Sequence, residues 1–212
     1  MGREFLDVFE EWADSYDASV LGQDEEYKEV FKKYDKILEE VALRSRGNVV
    51  EFGVGTGNIT VKLLEKGHKV TGIEPSKPMR KIAKEKLGRH AEVMDGDFLV
   101  FPELNNVMSI VSSYAFHHLT DVEKEEAISL YGKLLPKEGK IVFADTMYES
   151  EKDYLKAINN AKEKGFHNLA SNLQSEYYST IPILKGMMEK NGFLVSFFRC
   201  NDFVWIMEGV KL

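Results

Sequence analysis

"VVEFGVGTGNIT", residues 49–60, sets Gly53, Gly55 and Gly57 two apart behind an apolar run interrupted by Glu51. A β-branched run, alternating glycines and then a helical pattern read as strand, tight turn and helix. That is the repeating unit of a doubly wound sheet, in which ligands sit beyond the carboxyl ends of the strands. The glycines let backbone approach the ligand, and the start of the next helix presents N–H groups without intrahelical partners. The dinucleotide form G-x-G-x-x-G requires its third glycine at position 58, where Asn58 stands, so the NAD fingerprint is not met. A strand-to-helix turn holding no ligand is the plainer alternative for this stretch taken alone.

Outward from the loop the same alternation continues. "NVVEFGV", "HKVTGIE", "AEVMDGDF", "VMSIVSSY" and "KIVFADTMY" are short apolar runs bounded by turn formers or charges, as buried strands are. Between them, Ile59, Leu63 and Leu64, then Met79, Ile82, Ala83 and Leu87, fall at helical spacing, each set closing on a glycine. "DVEKEEAISLYGKLLPKEG" predicts a further helix with Asp121 as N-cap and Pro136 as stop. These are βαβ units around a mostly parallel sheet. The end departs from the plan: "FLVSFFRC" and "FVWIMEG" flank Asn201 and Asp202, which predicts an antiparallel hairpin. Residues 1–46 carry helical patterning (Phe5, Val8, Phe9, Trp12; Tyr27, Val30, Phe31, Tyr34, Ile37, Leu38, Val41) and are expected as helices capping the sheet.

Composition fits one domain, residues 1–212, with 43% hydrophobic and 30% charged residues. The net charge of −7 disfavours a nucleic-acid partner, which calls for a basic face. Asn-Pro-Pro-Tyr and Asp-Pro-Pro-Tyr motifs of amino-methylating DNA enzymes are absent. No run of about 18 apolar residues suggests a membrane span, and the amino terminus lacks a signal-peptide pattern. The single cysteine, Cys200, excludes an internal disulfide or a Cys-rich metal site and points to a reducing, cytoplasmic setting. No cluster of acidic metal ligands emerges from spacing, so no metal is expected.

Two further acids stand at strand ends. Glu74 closes "HKVTGIE", where a carboxylate accepts from both hydroxyls of an unphosphorylated ribose on the neighbouring loop; the alternative is a solvated acid. Asp97 ends the next run, with Asp95 competing for its place. Beyond the fourth strand, "AFHHL" brings His117 and His118 to the carboxyl edge. Either imidazole can take a substrate proton near neutrality, and the alternative is a packed or backbone-bonded histidine. Residues 149–178 exceed an ordinary connection and are expected as a substrate lid. Tyr154, Phe166, His167, Tyr177 and Tyr178 are candidates for its lining, or for packing of its helices; Met187 and Met188 read as core.

The form E-x-G-x-G-x-G, Glu51 through Gly57, resembles the first motif of class I methyltransferases dependent on S-adenosyl-L-methionine (SAM). "FLDVFEEWADSYD", "GIEPSKPMR" and "DGDFL" extend the resemblance over nearly the whole chain, to the Bacillus-type YrrT methyltransferases. It implies the Rossmann-like class I fold, a mostly parallel seven-stranded sheet with the C-terminal hairpin and N-terminal cap helices. It implies that SAM is held by the glycines, with Glu51 near its ammonium group, Glu74 on the ribose, Asp97 on the adenine amino group and Phe98 near the ring. Tyr16 is implied as a donor to the cofactor carboxylate, and Ser113 to His118 as the stretch facing the methyl group and the acceptor. The acceptor is expected to be a small molecule, which the resemblance links to sulfur-amino-acid recycling, and the protein a monomer or homodimer. A SAM-responsive binding protein and an NAD-dependent oxidoreductase are the rival readings.

Overall fold

A computed structural model describes residue 20 and residues 24–212; Tyr16 and the helix expected around Phe9 and Trp12 lie outside the described residues. Helix α1 (Tyr34–Arg44) leads into β1 (Asn48–Phe52), followed by α2 (Asn58–Glu65), β2 (Lys69–Ile73), α3 (Lys77–Leu87), β3 (Glu92–Met94) and β4 (Ser109–Ser113). A 3-10 turn (Phe116–His118) precedes α4 (Asp121–Leu134) and β5 (Lys140–Thr146). Then come α5 (Glu151–Glu163), α6 (His167–Ser175), α7 (Ile181–Lys190) and the hairpin β6 (Phe193–Arg199) and β7 (Val204–Lys211).

The strands form one seven-stranded sheet in the order β3-β2-β1-β4-β5-β7-β6. β1 to β5 pair in parallel; β7 enters antiparallel between β5 and β6. Register settles the faces. Val49, Val70, Val111 and Val142 pack on α1 and α2 through Ile37, Leu38, Val41, Ile59 and Leu63. On the other face Val50, Phe52, Ile110, Ile141 and Phe143 meet Ile128 and Tyr131 of α4 and Leu184, Met187 and Met188 of α7. Full burial of each large apolar side chain stabilises by about 1.5–3 kcal/mol, so the two faces clamp the sheet and fix its upper edge. Among the described residues no helix is long and apolar enough to cross a membrane.

Local chemistry sets the boundaries. α3 starts at Ser76, whose hydroxyl accepts from Met79 N–H. The N-cap of α4 is Thr120 rather than the expected Asp121: Thr120 and Glu123 form a reciprocal capping box, and Asp121 instead accepts from the Ser179 hydroxyl at 2.5 Å. The helical pattern from Tyr27 onward becomes helix only from Tyr34, because Asn201 Nδ2 donates to the carbonyls of Val30 and Lys32, both at 3.0 Å, and Lys33 adopts φ 65°. Those carbonyls are withdrawn from a helical ladder. The same side chain's Oδ1 accepts from Phe203 and Val204 N–H at 2.8 and 2.7 Å, so the hairpin loop spans residues 200–203 rather than a dipeptide.

Candidate active site

The glycine loop leaves β1 with all three glycines in left-handed conformations, φ 71°, 57° and 90° at Gly53, Gly55 and Gly57, where side chains are strained. Their surroundings differ. A Cβ on Gly53 would lie 2.8 Å from Ala115 Cβ, and one on Gly57 3.2 Å from Leu87 Cδ1. Among the described residues a Cβ on Gly55 would meet nothing within 4 Å, so none of them covers its bare backbone. α2 begins at Gly57 without a side-chain cap.

Glu51 shares the sheet face of Val49 and is fully buried. Its Oε2 accepts from Thr60 Oγ1 at 2.5 Å, while Oε1 has no hydrogen-bond partner among the described residues. Burial, only partly offset by Thr60, pushes its carboxyl up to about 8. Glu74, at the end of β2, turns back over the loop: its oxygens accept from Gly55 N–H at 2.8 Å and Ser76 N–H at 2.7 Å. Burial raises its pKa against those two bonds. A carboxylate offers roughly four acceptor positions, so bracing the loop leaves capacity for further donors. Asp95 is paired with Arg80 at 2.9 Å, an arginine that also donates to the Glu74 and Pro75 carbonyls. Asp97 is buried, and its Oδ1 accepts from Leu99 and Val100 N–H at 3.0 and 2.8 Å. Phe98 lies in the core against Phe52 and Phe116, both with centroids 5.6 Å away. Its Cζ is 3.9 Å from the position of a Gly53 Cβ, which places it beneath the loop.

At the end of β4, Ser113 is half-buried and pairs with Ala144. Ser112 carries a buried hydroxyl without a hydrogen-bond partner among the described residues, 3.9 Å from the position of a Gly53 Cβ. Strand alternation puts the two serines on opposite faces. Tyr114 then reverses the chain with φ 52°, rare for a bulky residue, and the 3-10 turn presents both histidines. His117 Nδ1 donates to Asp145 Oδ1 at 2.6 Å and Nε2 to Glu176 Oε2 at 2.8 Å. Its backbone N–H reaches Asp145 Oδ2 at 3.0 Å. Burial opposes its charge, yet the two carboxylates push His117 up to about 10. Burial and the charge of His117 push His118 down to about 3.

Glu176 arrives on the strap between α6 and α7, and the strap is tied down. Tyr177 N–H donates to the His117 carbonyl at 3.0 Å, Tyr178 stacks on the His117 ring with centroids 5.0 Å apart, and buried Lys124 donates to the Tyr177 carbonyl and to Ser179 Oγ. Of the expected lid residues, Tyr154 and Phe166 pack with α5 and α6, Tyr154 donating to the Leu173 carbonyl at 2.5 Å. Tyr177 and His167 are exposed. Glu176, Asp145, Lys124 and Ser112 were not singled out by sequence, and of these only Asp145 offered a signal, as an acid at a strand end.

Residues 49–139 match a family described as "Methyltransferase domain". The chain is 58% identical over 212 residues to an uncharacterized methyltransferase of a Geobacillus species. It is 56% identical over 211 residues to one of Bacillus cytotoxicus. Each alignment covers all of both chains. Among solved structures, the magnesium protoporphyrin IX methyltransferase of Synechocystis with bound SAM superposes with a TM-score of 0.67 at 13% identity, over 98% of this chain and 97% of that one. The PH0226 protein of Pyrococcus horikoshii gives 0.67 at 14%, over 90% and 93%. These two establish likeness of fold; the full-length relatives establish more, and the chain belongs to the same methyltransferase family as they do.

Proposed function

We propose that this methyltransferase uses SAM and acts on a small-molecule acceptor at the carboxyl edge of β4 and β5. The observation that carries the reading is the set of unsatisfied groups around the glycine loop. Among the described residues nothing covers the bare backbone of Gly55, and two buried polar atoms, Glu51 Oε1 and Ser112 Oγ, have no protein hydrogen-bond partner. Buried polar groups are rarely left so, and an amino-acid-bearing ligand supplies the missing partners. The residues fit SAM: Glu51 answers its ammonium, the spare acceptor positions of Glu74 its ribose, and Asp97 its adenine amino group, with Phe98 as floor. Tyr16 is assigned to the cofactor carboxylate on the family resemblance alone.

When bound, the sulfonium supplies an electrophilic methyl, so alignment and exclusion of water are the protein's main contribution. His117 has both ring N–H groups committed to carboxylates and serves to hold the acceptor edge rather than to accept a proton. Residues 149–178 cover the edge as a lid. The resemblance makes a small thiol of sulfur-amino-acid metabolism the first acceptor to try, in a cytoplasmic setting. Formation of S-adenosylhomocysteine from SAM with pooled small metabolites, read by a mass shift of one methyl on the acceptor, is the expected outcome. SAM binding with no turnover across thiol, amine and hydroxyl acceptors would favour the sensor instead.

A further inference from the structure

The polar cluster at the end of β4 is built from residues far apart in the chain. His117 and His118 come from the 3-10 turn after β4, Glu176 from the strap after α6. One ligand atom from each lies within 4.8 Å of the others. Glu176 Oε2 stands 2.8 Å from His117 Nε2 and 3.7 Å from His118 Nδ1. We propose that His117 Nε2, His118 Nδ1 and Glu176 bind one divalent transition-metal ion of the zinc class, with Asp145 orienting His117 from behind.

Donor type selects the ion. Two imidazole nitrogens and one carboxylate oxygen suit zinc, cobalt or nickel and not magnesium or calcium, which take oxygen sets. Bonds of about 2.0–2.1 Å in a tetrahedron separate donor atoms by about 3.3–3.4 Å. Two of the three separations fall either side of that value and the third lies within 4.8 Å, so side-chain shifts of about an ångström bring the donors to bonding distance. The ion takes the place of the hydrogen between His117 Nε2 and Glu176, which leaves as a proton to solvent. Three protein donors keep a fourth position for water or an acceptor heteroatom.

The outer shell is of the kind that metal histidines have. A ligating imidazole commonly donates its second N–H to a carboxylate, which fixes the ring. Here Asp145 Oδ1 accepts from His117 Nδ1 and also from Thr146 N–H at 2.7 Å, and Oδ2 accepts from the His117 backbone. Asp145 is therefore held on both oxygens. The Glu176 side is fixed by the Tyr177 N–H to His117 carbonyl bond and by Lys124 gripping Tyr177 and Ser179. Preorganisation from both sides is what separates a site from a chance meeting of side chains.

The test is uptake of metal by the full-length protein after treatment with chelator. Titration with Zn²⁺ by calorimetry and with Co²⁺ by visible absorption is expected to show one ion per chain, with cobalt ligand-field bands of low coordination number. His118→Ala and Glu176→Gln should abolish the bands, and Asp145→Asn should weaken binding about 10- to 100-fold, all with wild-type far-UV circular dichroism. If a variant misfolds, the zinc-induced rise in the thermal midpoint of the wild type, absent with Mg²⁺, is the second readout. No saturable uptake by the wild type, or uptake that survives in the double variant H118A/E176Q, overturns the proposal and leaves the cluster an ion-pair latch between strap and sheet. The readout is binding, so its failure leaves methyl transfer from SAM untouched.

Discussion

Glu51 is a carboxyl group kept out of water with a single hydroxyl for company. Its pKa in the folded, ligand-free protein, about 8, lies above the ordinary 4.5, so the folded state holds this proton more tightly than the unfolded chain. The stabilisation is complete below 4.5 and is lost as pH rises through 8. Glu51→Gln keeps the shape and removes the titration. The thermal midpoint of wild type minus that of the variant, followed by circular dichroism without ligand, should fall steadily from about pH 5 to about pH 9; a constant difference would refute the burial argument. Glu74→Ala removes the brace on Gly55 along with the proposed ribose acceptor, and SAM affinity should drop by about 1.5–3 kcal/mol, or about 10- to 150-fold. Wild-type affinity by calorimetry would remove Glu74 from the site. Both acids were legible in the sequence because each sits at a fixed offset from the glycines. Glu176, Asp145 and Lys124 were not, since their roles arise from contacts across the fold. Ser112, next to the expected Ser113, carries a buried hydroxyl without a partner among the described residues: the pattern located the strand end but not which way each of its last side chains faces.

At the level of elements, Asn201 joins the hairpin loop to the segment before α1. All four of its side-chain hydrogen bonds go to backbone, two donated to Val30 and Lys32 and two accepted from Phe203 and Val204. Asn201→Ala strands those groups in a buried position, each costing about 1–3 kcal/mol where water cannot substitute, and an overall loss of about 2–4 kcal/mol is expected from urea midpoints. Asn201→Asp keeps the two acceptor bonds but sets a carboxylate against two carbonyls, so it should fare no better than alanine. If aspartate is tolerated, the carbonyls of Val30 and Lys32 are not held by this side chain. The case also marks the limit of reading elements locally. The helical spacing from Tyr27 to Val41 is present in the sequence, yet a residue some way down the chain diverts the first part of it. The strands suffered no such competition, because a buried run of Val and Ile between turn formers has few other places to go.

At the scale of the molecule, alternation of strand and helix was enough to foresee the parallel half of the sheet, and the loss of alternation after α7 foretold the hairpin. What alternation does not contain is that β7 lies inside β6, next to β5; that follows from burial, since β7 is largely apolar on both faces while β6 alternates with exposed positions. The sheet carries the glycine loop, Glu74 and Asp97 on successive strand ends, so a ligand bound there draws on the whole fold and stabilises all of it. SAM at about 100 times its dissociation constant should add about 2.7 kcal/mol. For a chain of this size that is a rise in thermal midpoint of about 5–10 °C. NAD at equal concentration should leave the midpoint unchanged, because Asn58 stands where the dinucleotide turn needs glycine. The reverse outcome, a shift with NAD and none with SAM, would show that the open face of Gly55 receives a different adenosine ligand and would turn the assignment toward hydride transfer.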